Sequence, residues 1–164
     1  MIREHGFDTV KERRLFSIHI STPGEFPAYL DLPPGNFACL LAWNAKGVSH
    51  DAIAALVAPL LQAGASYIIC WGSDCERVHD IIDEMISIPG NNFGVPDDAC
   101  IMTSWHDNES LENAILFFLS NTWPDDRYFN STHAALAVSI GPASWAAEIE
   151  AALERPDEFI KGAS

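Results

Sequence analysis

Cys75 and His79 stand four residues apart in the run Ser73-Asp74-Cys75-Glu76-Arg77-Val78-His79, one turn of a helix. A thiol in the first helical turn meets free backbone N–H groups and the positive end of the dipole, which favour thiolate. An imidazole on the same face can act as its base. His106-Asp107 supplies a second imidazole with a carboxylate beside it. Cys75, His79, His106 and Asp107 are therefore the candidate catalytic set, with Asp107 or Asp74 orienting the ring. Glu76 and the surrounding negative charge oppose thiolate formation, and no Gly-rich elbow accompanies the cysteine. Cys75, His79 and His106 also form a candidate metal trio, since one-turn spacing suits two ligands on a helix. No second Cys or His pair at close spacing reinforces it.

Three apolar runs lead into this chemistry, and each ends in tryptophan. They are Ala38-Cys39-Leu40-Leu41-Ala42-Trp43, then Asn44; Tyr67-Ile68-Ile69-Cys70-Trp71, then Gly72; and Ala99-Cys100-Ile101-Met102-Thr103-Ser104-Trp105, then His106. Each reads as a buried strand entering a polar loop that opens a helix. Parallel strands would gather all three ends at one sheet edge, where open α/β proteins place their sites. The candidate ligand-binding residues there are Trp43, Asn44, Trp71, Ser73, Asp74, Trp105 and Asn108, with Lys46, Ser139 and Gly141 nearby. Alternation along a strand turns Trp43 and Asn44 to opposite faces, and likewise Trp105 and His106. Phosphate and dinucleotide sites are disfavoured: no strand is followed by G-x-G-x-x-G or G-x-x-x-x-G-K, and Asp74 stands where phosphate would approach. No cofactor is implied.

The elements follow from the pattern. Strand 37–43 precedes a helix from about Ser49 to Ala63 with Ile53, Leu56, Val57, Leu60 and Leu61 on one face. Strand 66–71 precedes a helix from Asp74 to about Ile88, opened by the capping box Ser73-x-x-Glu76. After the breaker-rich loop 89–96 come strand 99–105, a helix capped by Asp107 or Asn108, and strand 134–140. Gly141-Pro142 opens a last helix, and the tail beyond Pro156 reads as frayed. At the start, residues 1–13 read as a short helix or loose arm, and Leu15–Ile20 pairs with Ala28–Leu32 in a hairpin. The expectation is one α/β domain over 1–164: an arm and hairpin (1–36), a βαβ core (37–155) and a tail (156–164). Its core would be a mainly parallel four-stranded sheet in a three-layer, Rossmann-like or flavodoxin-like arrangement.

The chain has 164 residues and a formal net charge of -14. Between Gly47 and Asp126 the only basic residue is Arg77, against thirteen Asp and Glu. Such a field repels nucleic-acid backbones and speeds encounter with a basic protein. No apolar run approaches a membrane span, and the first residues lack the layout of a signal peptide, so a cytoplasmic protein is expected. Cys39, Cys70 and Cys100 lie in apolar runs and read as buried hydrophobes. No disulfide framework is present.

The strings Trp71-Gly72-Ser73-Asp74-Cys75-Glu76 and Thr103-Ser104-Trp105-His106-Asp107 resemble a family of small, uncharacterised bacterial proteins, a domain of unknown function. Cys39–Trp43 and Trp123-Pro124-Asp125-Asp126 share the likeness, which spans roughly residues 37–153. The resemblance implies a bacterial cytoplasmic α/β protein and brings no activity. The leading expectation is an acidic binding module that takes a small ligand or a basic protein at the strand-end crevice. An enzyme using Cys75 and a metal-binding protein are the alternatives.

Overall fold

The structure, a computed structural model, describes residues 1–90 and 93–163; Asn91 and Asn92 of the breaker-rich loop and Ser164 of the tail lie outside it. Its strands are β1 (Arg3–Asp8), β2 (Arg13–Ile20), β3 (Asn36–Trp43), β4 (Ala65–Trp71), β5 (Met102–His106) and β6 (Thr132–Ile140). Its helices are α1 (His50–Gln62), α2 (Cys75–Ser87), α3 (Leu111–Ser120), α4 (Asp126–Phe129), α5 (Ala143–Glu154) and α6 (Pro156–Ala163). The strands form one sheet in the order β1-β2-β6-β3-β4-β5. All neighbours run parallel except β1, which is antiparallel to β2. The protein is thus α/β with a mixed, mostly parallel sheet.

β3 and β6 take the centre because their residues are apolar on both faces, the composition of a strand covered twice. Phe37, Cys39, Leu41 and Trp43 of β3 point to the core beneath α1 and α2. Ala38, Leu40 and Ala42 point to the core beneath α3, α5 and α6. β6 repeats the division, with Leu136 and Val138 on the first face and Ala135 and Ala137 on the second. The alanines leave room on that second face for Phe118, Leu119, Ile149 and Leu153 from the helices.

The four expected parallel strands are the contiguous block β6-β3-β4-β5, and the sheet is two strands wider. The last strand, β6, is inserted between β2 and β3, a position found in neither the Rossmann nor the flavodoxin order. The N-terminal hairpin also differs. Residues 1–13 are neither helix nor loose arm: β1 pairs with β2, while Ala28–Leu32 is irregular. Pro27, Pro33 and Pro34 bracket that segment and lack ladder donors, while Leu30 is buried in the core and Leu32 packs partly buried against it. β1 carries little apolar signal because polar contacts hold it, Arg3 to Glu150 at 2.6 Å and His5 to Glu154 at 2.6 Å. The tail is the helix α6, not a frayed end.

Two helix starts depart from expectation. The Ser73–Glu76 capping box does not form; Asp74 is the N-cap, at φ +67° and without a side-chain capping bond. Ser110, not Asp107 or Asn108, caps α3 by accepting from the Asn113 amide at 3.1 Å. Both loops bend through non-glycine residues in the left-handed region, Asp74 at φ +67° and Asn108 at φ +58°.

Gly72 fixes how β4 leaves the sheet. It sits at φ +115°, and an added Cβ would lie 2.2 Å from the Trp43 carbonyl oxygen. Gly72→Ala is expected to destabilise the fold by about 3 kcal/mol, through strained backbone and forced separation of β3 from β4. Urea unfolding of the two proteins checks this; equal midpoints would refute it.

Candidate functional site

The strand ends meet at a shallow cleft of about 280 Å³ whose lining includes Trp71, Gly72, Ser73, His106, Asp107, Glu109 and Trp145. In the ladder Trp71 pairs with His106, so the two side chains share the α3/α5 face of the sheet. The Trp71 indole packs edge-on against Trp145 at 5.0 Å, and its Nε1 donates to the Glu109 carbonyl at 2.8 Å. These contacts hold the loop after β5 against the start of α5.

His106 is 8% exposed and is bracketed by three groups. Its Nδ1 lies 3.0 Å from a Glu109 carboxylate oxygen, and its Nε2 lies 3.2 Å from Ser104 Oγ. The ring also packs on Phe117 of α3 at 4.5 Å. The result is a hydroxyl–imidazole–carboxylate series, Ser104–His106–Glu109, within six residues of chain. Asp107, expected to orient the ring, is exposed and is replaced in that role by Glu109. Strand alternation, which sets Ser104 and His106 on one face, is the signal that could have found the pair.

His79 belongs to the other side of the sheet. It rises from α2, 8% exposed, with the Trp105 ring 4.6 Å away. Its Nδ1 lies 3.0 Å from Asp80, and its Nε2 lies 3.1 Å from Thr103 Oγ1, which donates to Asp83 at 2.6 Å. The sheet therefore separates His79 from His106, and Cys75, His79 and His106 do not converge as a catalytic or metal-ligating set. Among the described residues no group of three or more His, Cys, Asp or Glu is placed to hold a metal ion.

Cys75 is 2% exposed and packs with the core beneath α1 and α2. Burial pushes its thiol above the usual range, outweighing bonds from backbone amides that favour thiolate. Desolvation thus opposes the low-pKa nucleophile expected at this helix start. Cys100 reverses its expectation as well. It precedes β5 and is exposed, while Cys39 and Cys70 are buried. In the native protein an alkylating reagent is expected to modify Cys100 first, with Cys39, Cys70 and Cys75 reacting only on unfolding. Thiol counting by mass spectrometry checks this, and fast native labelling of Cys75 would refute it.

The remaining residues divide the strand-end edge. Trp43 is 2% exposed and belongs to the core, not to the cleft. Asn44 and Lys46 are exposed, with Asn44 Oδ1 accepting from the Lys46 amide at 3.4 Å. Ser73 is exposed, and its carbonyl accepts from the Ala45 amide at 3.0 Å. Ser139 is buried, 2.9 Å from His19 Nδ1. Trp105 is 44% exposed at the flank of the sheet, outside the cleft. The three strand-ending tryptophans thus occupy three environments.

Arg77, marked in the sequence only as the lone basic residue of an acidic stretch, joins the loops. Its Nε donates to Asp74 at 2.7 Å, and its Nη2 donates to the carbonyls of Ala45 at 2.9 Å and Val48 at 2.8 Å. The Trp123-Pro124-Asp125-Asp126 string lies at the opposite end of the sheet, by the β1–β2 turn. There Trp123 stacks on Phe129 at 5.9 Å, and Lys11 Nζ sits 4.8 Å over its ring. A larger hollow of about 700 Å³ lies between β1, β2 and the segment 25–33. Of its charged lining groups Glu4, Arg14, Glu25 and Asp31, the first two are engaged with each other in a two-bond pair of 2.7 and 2.9 Å.

No curated protein and no solved structure matches the chain. Among the described residues no helix is long and apolar enough to cross a membrane. A family model described as "Domain of unknown function (DUF7684)" matches residues 15–156, a stretch that takes in most of β2, all of β3 to β6 and the strand-end cleft. The chain belongs to this family of proteins of unknown function.

Proposed function

We propose that this protein is an acidic binding module that takes a basic protein partner against its strand-end edge and the acidic face beside it. The observation that carries this reading concerns charge. From Asp51 to Asp126 none of the thirteen carboxylate side chains is buried. The single guanidinium in that span, Arg77, is engaged with Asp74 and two backbone carbonyls. The field from β4 to α3 therefore has little internal neutralisation, and a cationic partner would supply it. A cleft of about 280 Å³ is at the lower limit for small-ligand sites, which favours a macromolecule over a small molecule.

At about 50 mM salt the protein is expected to bind a polylysine probe with an affinity that falls at least tenfold by about 300 mM. Replacing Asp80, Asp83, Asp107 and Glu109 by their amides is expected to lower the low-salt affinity about tenfold. Titration calorimetry measures both. Salt-independent binding, or no loss in the amide variant, would overturn the reading.

A second reading rests on Ser104–His106–Glu109. A hydroxyl 3.2 Å from an imidazole that is itself 3.0 Å from a carboxylate has the connectivity of a serine nucleophile, its base and the orienting acid. His106 would take the Ser104 proton as Oγ attacks an ester carbonyl, then return it to the leaving alcohol. A fluorophosphonate probe is expected to label Ser104 in the native protein and to fail with His106→Ala. An unlabelled native protein ends this reading.

A further inference from the structure

The two edges of the sheet are built differently. β1 closes one edge with a register irregularity between Glu4 and Phe7, and its Arg3 and His5 are tied to α5. These are devices that keep an edge from recruiting other strands. β5 closes the other edge, and among the described residues its only ladder is with β4. Its sequence Met-Thr-Ser-Trp-His contains no proline, lysine or register irregularity. Met102 is 37% exposed and Trp105 44% exposed. A parallel pair leaves half of the outer strand's N–H and C=O groups directed away from its neighbour.

Carboxylates flank this edge on both faces. On the Trp105 face stand Asp80, 67% exposed at its side chain, and Asp83, 49% exposed. On the Ser104 face stands Glu109, 41% exposed. Neither β5 nor the strand-facing length of α2 from Val78 to Ser87 contains lysine or arginine. A second copy brought edge to edge would set like charges together, on top of a net charge of -14 for each chain. A basic extended segment meets the opposite situation. Its main chain can complete the β5 ladder, and every second side chain falls on the Trp105 face, beside Asp80 and Asp83. The half-exposed Trp105 indole offers a surface to an arginine or lysine.

We propose that the outer edge of β5 receives an extended, basic segment of a protein partner as a seventh strand, held by main-chain hydrogen bonds and by cationic side chains on one face, beside Trp105, Asp80 and Asp83. This rests on the basic-partner reading and specifies how that partner is bound.

The test uses a ten-residue peptide of alternating valine and lysine, the same composition in block order, and the alternating peptide N-methylated at every second residue. Amide exchange and NMR shifts are read on the full chain. The alternating peptide is expected to protect the β5 amides and shift the Trp105 indole signal. N-methylation is expected to weaken binding at least tenfold, Trp105→Ala about fivefold, and Met102→Lys at least tenfold by placing a like charge on the edge. Equal binding by all three peptides, with shifts spread over the acidic face, would overturn strand addition and leave the basic-partner reading standing. No binding by any peptide at low salt would overturn both. Concentration-dependent protection of β5 without peptide, together with a dimer mass, would assign the edge to a second copy and overturn the proposal.

Discussion

A side chain on this sheet can reach only one of two helical layers, and its parity along the strand decides which. That constraint governs the rest of the molecule. β3 is apolar at every position from Phe37 to Trp43 because both layers close on it. Odd positions meet α1 and α2, and even positions meet α3 and α5. The same rule divides the chemistry. Trp71 and His106 share one face and build the cleft, whereas Trp105 and His79 pack together on the other. A trio that looks continuous in the chain is cut in two by the sheet.

The loops at the strand ends are held by unusual backbone and by one cation. Gly72, Asp74 and Asn108 all adopt positive φ within the two loops that shape the cleft. Arg77 fastens the loop after β3 to the start of α2 by bonds to Ala45, Val48 and Asp74. Hydrogen bonds from a charged donor are stronger than neutral ones, so a guanidinium in a sea of acids has a structural use here. At the other end of the sheet Arg13 is buried against Thr122, with contacts of 3.0 and 2.8 Å. Burial pulls its guanidinium down to about 10, and it keeps its charge at neutral pH.

Much of the core was legible from periodicity. Strands with continuous apolar runs and helices with apolar faces fall close to their expected bounds from residue 37 to residue 154. The failures share a physical origin. β1 is an edge strand fixed by polar contacts to α5, so its residues carry no hydrophobic alternation to read. β2 finds its parallel partner in β6, more than a hundred residues later, where no local signal points. At the candidate site, spacing led to the strand-end edge that holds His106 but could not report burial, nor that His79 lies across the sheet. Cys75 turns inward and Cys100 outward because α2 begins at Cys75 while β5 begins only at Met102. The partners of His106, Ser104 and Glu109, are ordinary residues whose role appears only when the loop after β5 folds back.

The strand order also has a kinetic side. The central ladder joins Asn36–Trp43 to Thr132–Ile140, and β2 pairs with that same late segment. Until residue 140 has been synthesised, β2 and β3 each lack the neighbour that stands between them. The β1–β2 hairpin and the β3-α1-β4-α2-β5 block can form early as two pieces, but the strand that joins them in the sheet is still missing. β6 is the keystone that arrives last, and loop closure over such separations slows folding. A nascent chain therefore exposes open strand edges and apolar faces until Thr132–Ile140 emerges, an interval in which chaperones can intervene.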